Sequence, residues 1–202
     1  MSSQLESNES AEVESQNAAS IHIDGLGKTF DTKEGVEHVF SDIDIDIEPG
    51  TFVCLLGKSG SGKSTMLNIV SEVLEPTEGE VRFEREGTGG SGDVTLGHVF
   101  QSPRLLPWNT CVNNIEYVHE DNPDYTEDLA KQYLDLVSLS EHYDKYPTQL
   151  SGGQQQRVGI ARALSTDPGV LLMDEPFSNP AEITAETLRE ELIRIWQKLN
   201  ST

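Results

Sequence analysis

A glycine-rich segment in the first third of the chain has the composition of a phosphate-binding loop. It fits the pattern G-x-x-x-x-G-K-[S/T] and lies between a predicted strand over 52–56 and a predicted helix over 64–74. Glycines let successive backbone N–H groups point at phosphate oxygens, and the helix start adds the positive end of its dipole. Lys63 can neutralise β- and γ-phosphates, and the Ser64 hydroxyl can ligate Mg²⁺. The residues of this phosphate loop are Gly57, Lys58, Ser59, Gly60, Ser61, Gly62, Lys63, Ser64 and Thr65.

A second apolar segment ends in two carboxylates. Residues 170–173 read Val-Leu-Leu-Met and are followed by Asp174 and Glu175. A buried strand would carry Asp174 to the edge of a sheet, where it can hold Mg²⁺ through water. Glu175 is placed to polarise an attacking water, which suits a carboxylate general base. Two solvated acids are the alternative, and the phosphate loop upstream favours the catalytic interpretation.

The most specific string is Leu-Ser-Gly-Gly-Gln-Gln-Gln-Arg over residues 150–157. It resembles the LSGGQ signature of ATP-binding cassette (ABC) ATPases, and residues 158–164 agree with that family. A serine N-cap accounts for Ser151 but not for the Gly-Gly-Gln after it. The resemblance implies that four signature residues face the γ-phosphate of an ATP held by a second subunit. These residues are Ser151, Gly152, Gly153 and Gln154.

The rest of the chain follows the order of this family from about residue 21 to residue 199. The resemblance implies that Phe30 stacks on adenine, with a strand-end core phenylalanine as the alternative. Gln101 resembles the Q-loop glutamine, which would serve catalysis and the metal, with a surface glutamine as the alternative. The implied fold is α/β, an ABC-type P-loop NTPase core with a mixed sheet and flanking helices. It also includes an N-terminal antiparallel β subdomain and a helical subdomain over about 102–163, all within an ABC domain over 20–202.

Residues 100–108, Phe-Gln-Ser-Pro-Arg-Leu-Leu-Pro-Trp, narrow the resemblance. The segment is similar to one in the ATPases of nitrate, sulfonate and taurine importers. That similarity implies a membrane-embedded permease docked against this region and an external solute-binding protein. Leu105, Leu106 and Trp108 are candidates for the docking contact. The alternative is that they pack the core of the helical subdomain.

Two features depart from the family pattern. Residues 179–181 read Asn-Pro-Ala where Ala-Leu-Asp is usual, so Ala181 replaces the D-loop aspartate. The sequence ends at Thr202, before the strand and switch histidine that the family carries. We therefore expect a domain without its C-terminal part, weak in turnover and stability on its own.

The elements that would position these residues follow from hydrophobic periodicity. Over 40–47 isoleucines alternate with aspartates, which predicts a half-buried strand. Residues 1–19 are polar and acidic, which predicts a disordered tail. Residues 31–37 are predicted to form a polar turn, and 129, 133, 136 and 137 the buried face of a helix. Further predicted strands cover 21–23, 81–83 and 94–100, and further predicted helices cover much of 110–146, 151–164 and about 182–199.

The charge of the chain excludes some functions. It has 35 acidic and 14 basic residues, a formal charge of -21, and only four of the acids lie in the first twenty residues. This argues against a nucleic-acid binder and against docking by a basic patch on an anionic membrane. No apolar run reaches the roughly 20 residues of a membrane span. Spread-out acidity predicts a salt-adapted, halophilic protein, with an ordinary acidic protein as the alternative. The two cysteines are predicted to be reduced thiols.

Together these observations predict an ATPase subunit of an ABC importer for a small anion such as nitrate, sulfonate or taurine. Its cofactors would be ATP and Mg²⁺, and its partners a second copy and permease subunits, at the cytoplasmic face of the membrane. The alternative is a nucleotide-binding but catalytically weak or inactive truncated ABC subunit. A soluble ABC ATPase acting on DNA or ribosomes is a further alternative, against which the charge and residues 103–108 count.

Overall fold

A computed structural model describes residues 18–33, 35–85 and 94–174 of the chain. Predictions for residues 1–17, 86–93 and 175–202 therefore lie outside the described residues. The strands are β1 (Ala19–Thr32), β2 (Gly35–Ile47), β3 (Glu78–Arg85), β4 (Leu96–Val99) and β5 (Val170–Met173). The α-helices are α1 (Lys63–Val70), α2 (Cys111–Glu116), α3 (Glu127–Leu136) and α4 (Gly152–Ser165), with 3-10 turns at Tyr117–His119 and Pro147–Gln149.

The N-terminal strands form an antiparallel sheet in the order β2-β1-β3. The register pairs Ile21 with Ile47 and Ile23 with Ile45, which places the isoleucines on one face as the alternation predicts. The turn is shorter than predicted, because Thr32 and Gly35 still pair and only 33–34 lie between the strands. Backbone pairing thus continues through polar residues that composition alone assigned to a turn.

Strands β4 and β5 form a second, parallel sheet, as expected for an α/β core. Helix α1 packs with the two sheets in one cluster, in which Ile69 and Val70 join apolar residues of β1 and of β5. The helix after the phosphate loop and the strand that leads to Asp174 therefore share one hydrophobic core.

Helices α2, α3 and α4 enclose a second core with β4. The predicted face of α3 is partly wrong: Ala130, Leu134 and Val137 are buried, whereas Leu129 and Leu136 are only half-buried. The helix begins at its Thr126 cap, and spacings of four and three residues then aim 130, 134 and 137 inward. The longest helix in the described residues is α4, whose 14 residues are too few to span a bilayer.

The predicted strand over 52–56 is wrong, because residues 51–58 form no β-ladder. Phe52 and Val53 are about half exposed, and Leu56 is 86% exposed. A strand is stabilised by pairing its N–H and C=O groups with a neighbour, and no described strand lies beside this segment. An irregular segment therefore leads into the phosphate loop.

Candidate functional site

The phosphate loop curls around its own lysine. Lys63 Nζ donates to the carbonyl oxygens of Gly57 and Lys58, both at 3.0 Å. Gly60 and Gly62 have φ angles of +80° and +89°, which side-chain-bearing residues rarely adopt. A Cβ on Gly62 would lie 2.7 Å from Val39 Cγ1, so glycine is also required by the neighbouring hairpin. The glycine φ angles give the loop its curvature, and two hydrogen bonds to loop carbonyl oxygens hold the side chain of Lys63.

Helix α1 starts at Lys63 with open N–H groups. Its N-cap, Gly62, has no side chain to cap the first turn, and that turn contains no acidic residue. Open N–H groups and a positive dipole end at an exposed loop favour an anion. This arrangement fits a phosphate.

The structure joins the phosphate loop to the end of β5. The Ser64 hydroxyl donates to Asp174 Oδ1 at 3.1 Å, across 110 residues of sequence. The Asp174 N–H donates to Val99 O at 2.9 Å, which fixes the residue at the end of the parallel sheet. Two of the predicted metal ligands thus lie together. A hydroxyl and a carboxylate fit Mg²⁺, which takes few protein oxygens and completes its shell with phosphates and water.

Gln101 lies at the same sheet edge. Val99 pairs with Met173 in parallel register, so Gln101 and Asp174 both follow the carboxyl ends of adjacent strands. The Gln101 side chain is exposed. Glu175, the predicted general base, lies outside the described residues, as does Ala181.

His98 lies in β4 beside this edge, and both of its ring nitrogens are buried without a hydrogen-bond partner among the described residues. Its ring stacks on Phe100 with centroids 3.9 Å apart. Burial lowers the pKa of His98, opposed by the nearby Asp174 and reinforced by Arg104. The imidazole is therefore held neutral near the carboxylate of Asp174.

Phe30 is not a core residue. It lies near the end of β1, is 37% exposed, and has Lys28 Nζ 4.9 Å from its ring centroid. The hairpin that carries it reaches the phosphate loop, because Val39 and Phe40 of β2 surround Gly62. An exposed aromatic on that hairpin is available for stacking on a flat base.

The signature opens α4 with a complete capping box. Ser151 Oγ accepts a bond from the Gln154 N–H at 3.3 Å, and Gln154 Oε1 accepts one from the Ser151 N–H at 2.9 Å. Gly152 and Gly153 are exposed, and a Cβ on either would meet no atom within 4 Å in the described residues. Packing within the described part of the chain therefore does not require these glycines.

Helix α4 also holds the segment that contains Gln101. Gln156 Nε2 donates to Phe100 O at 3.1 Å, and Arg162 donates to Pro103 O at 2.8 Å and to Arg104 O at 3.2 Å. Burial lowers the pKa of the Arg162 guanidinium. Sequence reasoning did not single out Gln156 and Arg162. The sequence feature that could have indicated them is the presence of two polar residues among the apolar residues that follow the signature.

The three docking candidates separate in the structure. Leu105 packs against the helical core, Leu106 is half-buried, and Trp108 is 71% exposed. The turn between them is fixed by buried Asn114, which donates to Leu106 O at 3.2 Å and accepts from the Leu106 N–H at 2.8 Å. Of the three, Trp108 is the side chain presented to solvent.

Comparison with known proteins finds a family and several relatives. The ABC transporter family profile matches residues 40–178. The nitrate import ATP-binding protein of Synechococcus elongatus is 41% identical over 191 residues, covering 92% of this chain and 69% of that protein. The bicarbonate transport ATP-binding protein of the same organism is 40% identical over 180 residues, covering 86% and 64%. The aliphatic sulfonates import ATP-binding protein of Bacillus cereus is 37% identical over 182 residues, covering 90% and 72%.

A solved structure is also similar. It is a dimeric ATP-binding cassette in a post-hydrolysis state with ADP and Pi, with a TM-score of 0.73 and 33% identity. The match covers 89% of this chain and 82% of that one. The chain spans 64% of the bicarbonate relative's length and 69% of the nitrate relative's. On the profile match, the identities and the shared cassette fold, this chain belongs to the ABC transporter family.

Proposed function

We propose that the chain is the ATP-binding and hydrolysing subunit of an ABC importer. The observation that carries the proposal is the 3.1 Å bond between Ser64 Oγ and Asp174 Oδ1. It brings a phosphate-loop hydroxyl and a strand-end carboxylate to one point, where Mg²⁺ and the phosphates of a nucleotide would meet.

The nucleotide would bind along the phosphate loop. Lys63 and the open N–H groups of α1 would hold the β- and γ-phosphates, and Phe30 would stack on adenine. Ser64, Asp174 and Gln101 would hold Mg²⁺, which neutralises charge on the phosphates. Glu175 would act as the general base toward the attacking water, with Gln101 beside it. The alternative, a nucleotide-binding subunit with little turnover, is supported by Ala181 at the D-loop position.

A second copy of the chain would complete each site. Gly152 and Gly153 face open space, and no contact among residues 18–33, 35–85 and 94–174 accounts for their lack of side chains. A ligand that approaches closely from outside accounts for it, because the first N–H groups of α4 can then reach a phosphate. We propose a head-to-tail homodimer in which each signature contacts the ATP on the other copy's phosphate loop.

The permease would dock on the helical subdomain, proposed to cover about 102–163. Exposed Trp108 supports this, since large exposed aromatic residues are common at the centre of protein interfaces. The subunit would then lie at the cytoplasmic face of the membrane and serve an external solute-binding protein. The names of the relatives favour a small anion, such as nitrate, bicarbonate or a sulfonate, as cargo.

Calorimetric titration with MgATP tests the nucleotide site. Lys63→Ala removes the central cation, so we expect affinity to fall by about tenfold or more. Lys131→Ala is the matched control, because Lys131 pairs with Glu127 on the exposed side of α3. Equal affinity of wild type and Lys63→Ala would show that the loop is not the ATP site.

A further inference from the structure

We propose that His142 is a positioning residue for the signature. Its imidazole orients the carboxamide of Gln154 and so holds the first turn of α4 in the conformation that would contact the ATP bound to the other copy. This role rests on the proposed function, because the signature acts on a nucleotide held by another copy.

The hydrogen-bond pattern determines which atoms face each other. The Ser151 N–H lies 2.9 Å from one terminal atom of Gln154, and a donor there requires that atom to be the carbonyl oxygen. The NH₂ group of Gln154 then points at His142 Nε2, 3.0 Å away. An NH₂ group can only donate, so Nε2 must accept through its lone pair. Nε2 is therefore the nitrogen without a proton and Nδ1 carries the ring proton, although Nδ1 is buried with no hydrogen-bond partner among the described residues.

The ring is held by a turn that belongs to the helical core. The His142 N–H donates to Leu139 O at 2.9 Å, and the Lys145 N–H donates to His142 O at 3.1 Å. Leu139 is buried, and Lys145 O accepts from the Cys111 N–H at the start of α2. Through His142, the side-chain amide of Gln154 is therefore connected to α2 and to the end of α3 as well as to its own helix.

This anchor matters because the capping box alone leaves Gln154 free on its other side. Without an acceptor at position 142, the Gln154 carboxamide is held only by the bond from the Ser151 N–H to Oε1, so we expect it to rotate more freely. The Ser151 N–H would then be less firmly paired, and one of the two bonds that hold the first turn with Gly152 and Gly153 would be weakened. We therefore expect weaker contact with an ATP in trans and unchanged binding of ATP in cis.

Two substitutions separate the hydrogen bond from simple packing. His142→Leu removes the acceptor, whereas His142→Gln keeps an amide oxygen that can accept from Gln154. In the full chain we measure MgATP binding by calorimetry and MgATP-dependent dimerisation by sedimentation velocity. We expect His142→Leu to weaken dimerisation by about fivefold with unchanged ATP binding, and His142→Gln to stay within about twofold of wild type.

A double-mutant cycle with Gln154→Leu tests whether the two side chains act together. His142→Leu should cost nothing further when Gln154 is already leucine. Additive losses, or normal dimerisation of His142→Leu, would overturn the proposal.

Nitrogen-15 NMR of the histidine rings gives a readout independent of nucleotide. The chain has 5 histidines, and the resonance missing in His142→Gln identifies this one. We expect an unprotonated Nε2 and a protonated Nδ1, and a proton on Nε2 would refute the assignment. If that pattern is found but MgATP neither binds nor drives dimerisation of wild type, the proposed function fails and the contact remains a structural one.

Discussion

The phosphate loop and the signature are both glycine-rich helix starts, yet the chain holds them in different ways. The signature helix α4 is fastened along its length, by Gln154 to His142, Gln156 to Phe100 and Arg162 to Pro103. The phosphate loop has its lysine turned back on its own carbonyls and the Ser64 bond to Asp174. The segment before it forms no ladder.

The glycines of the two motifs also differ in their surroundings. Gly62 has a left-handed backbone and a close neighbour in Val39, so the chain's own structure requires glycine there. Gly153 is helical and faces open space. Internal sterics therefore require glycine at position 62, whereas no described atom requires it at position 153, where we propose contact with a second copy.

The largest expected effect is that of Gly62→Ala. The new Cβ would lie 2.7 Å from Val39 Cγ1 at a φ of +89°. We expect a loss of about 2–4 kcal/mol in the free energy of unfolding, measured by urea denaturation, and loss of MgATP binding. Wild-type stability would mean that the loop tolerates side chains and that the comparison is wrong.

Salt should strengthen the N-terminal sheet more than the helical part. Between low salt and molar KCl we expect the melting temperature to rise by about 5 °C or more, because screening relieves carboxylate repulsion. The melt is followed by near-UV circular dichroism in KCl, in sodium sulfate and in a neutral osmolyte. A neutral osmolyte is excluded from the protein surface but does not screen charge, so the comparison separates the two causes of stabilisation. An unchanged melt would favour an ordinary acidic protein. The acids on the exposed face of the sheet include Asp24, Asp44, Asp46, Glu80 and Glu84, with Arg82 and His22 among them.

Gly153→Ala is the matched counterpart of Gly62→Ala. Alanine favours the helix, so we expect the free energy of unfolding to stay equal or rise by about 1 kcal/mol. MgATP binding to the phosphate loop should be unchanged, whereas MgATP-dependent dimerisation should be lost because the methyl group occupies the approach of the phosphate. Normal dimerisation would remove the main support for a signature acting in trans.

The smallest effect concerns the two cysteines, one in each region. Cys54 is exposed in the segment before the phosphate loop, whereas Cys111 is 1% exposed at the start of α2. Burial raises the pKa of the Cys111 thiol to about 11, so its reactive thiolate is scarce at pH 8.

Iodoacetamide at pH 8 should therefore modify Cys54 within minutes and Cys111 only after unfolding, as measured by mass spectrometry of peptides. Because the pKa of Cys111 is higher in the folded chain, the contribution of its protonated thiol to the free energy of unfolding is complete below pH 9. This contribution declines as the pH approaches 11. Rapid modification of Cys111 in the folded chain would show that the helical core opens as readily as the loop region.

Much of the local structure could be predicted from the sequence. Alternating isoleucines predicted β2, and Ser151 is the N-cap of α4 as its residue type allows, within a capping box that sequence analysis did not predict. The predicted strand over 52–56 failed for a physical reason: hydrophobic residues favour burial, but a ladder also needs a neighbouring strand. The contact between His142 and Gln154 could not be predicted either, since His142 lies in a turn 12 residues before its partner.

The sequence by itself determined the two glycine-rich motifs, the Ser151 cap of α4 and the family, because these depend on residues close together in the chain. Only the tertiary structure decided that Ser64 meets Asp174 across 110 residues, that α4 clasps the carbonyls of residues 100–104, and that Trp108 faces solvent while Leu105 does not. Such contacts depend on how helices and sheets pack, and packing is set by the shapes of many side chains at once rather than by spacing along the chain.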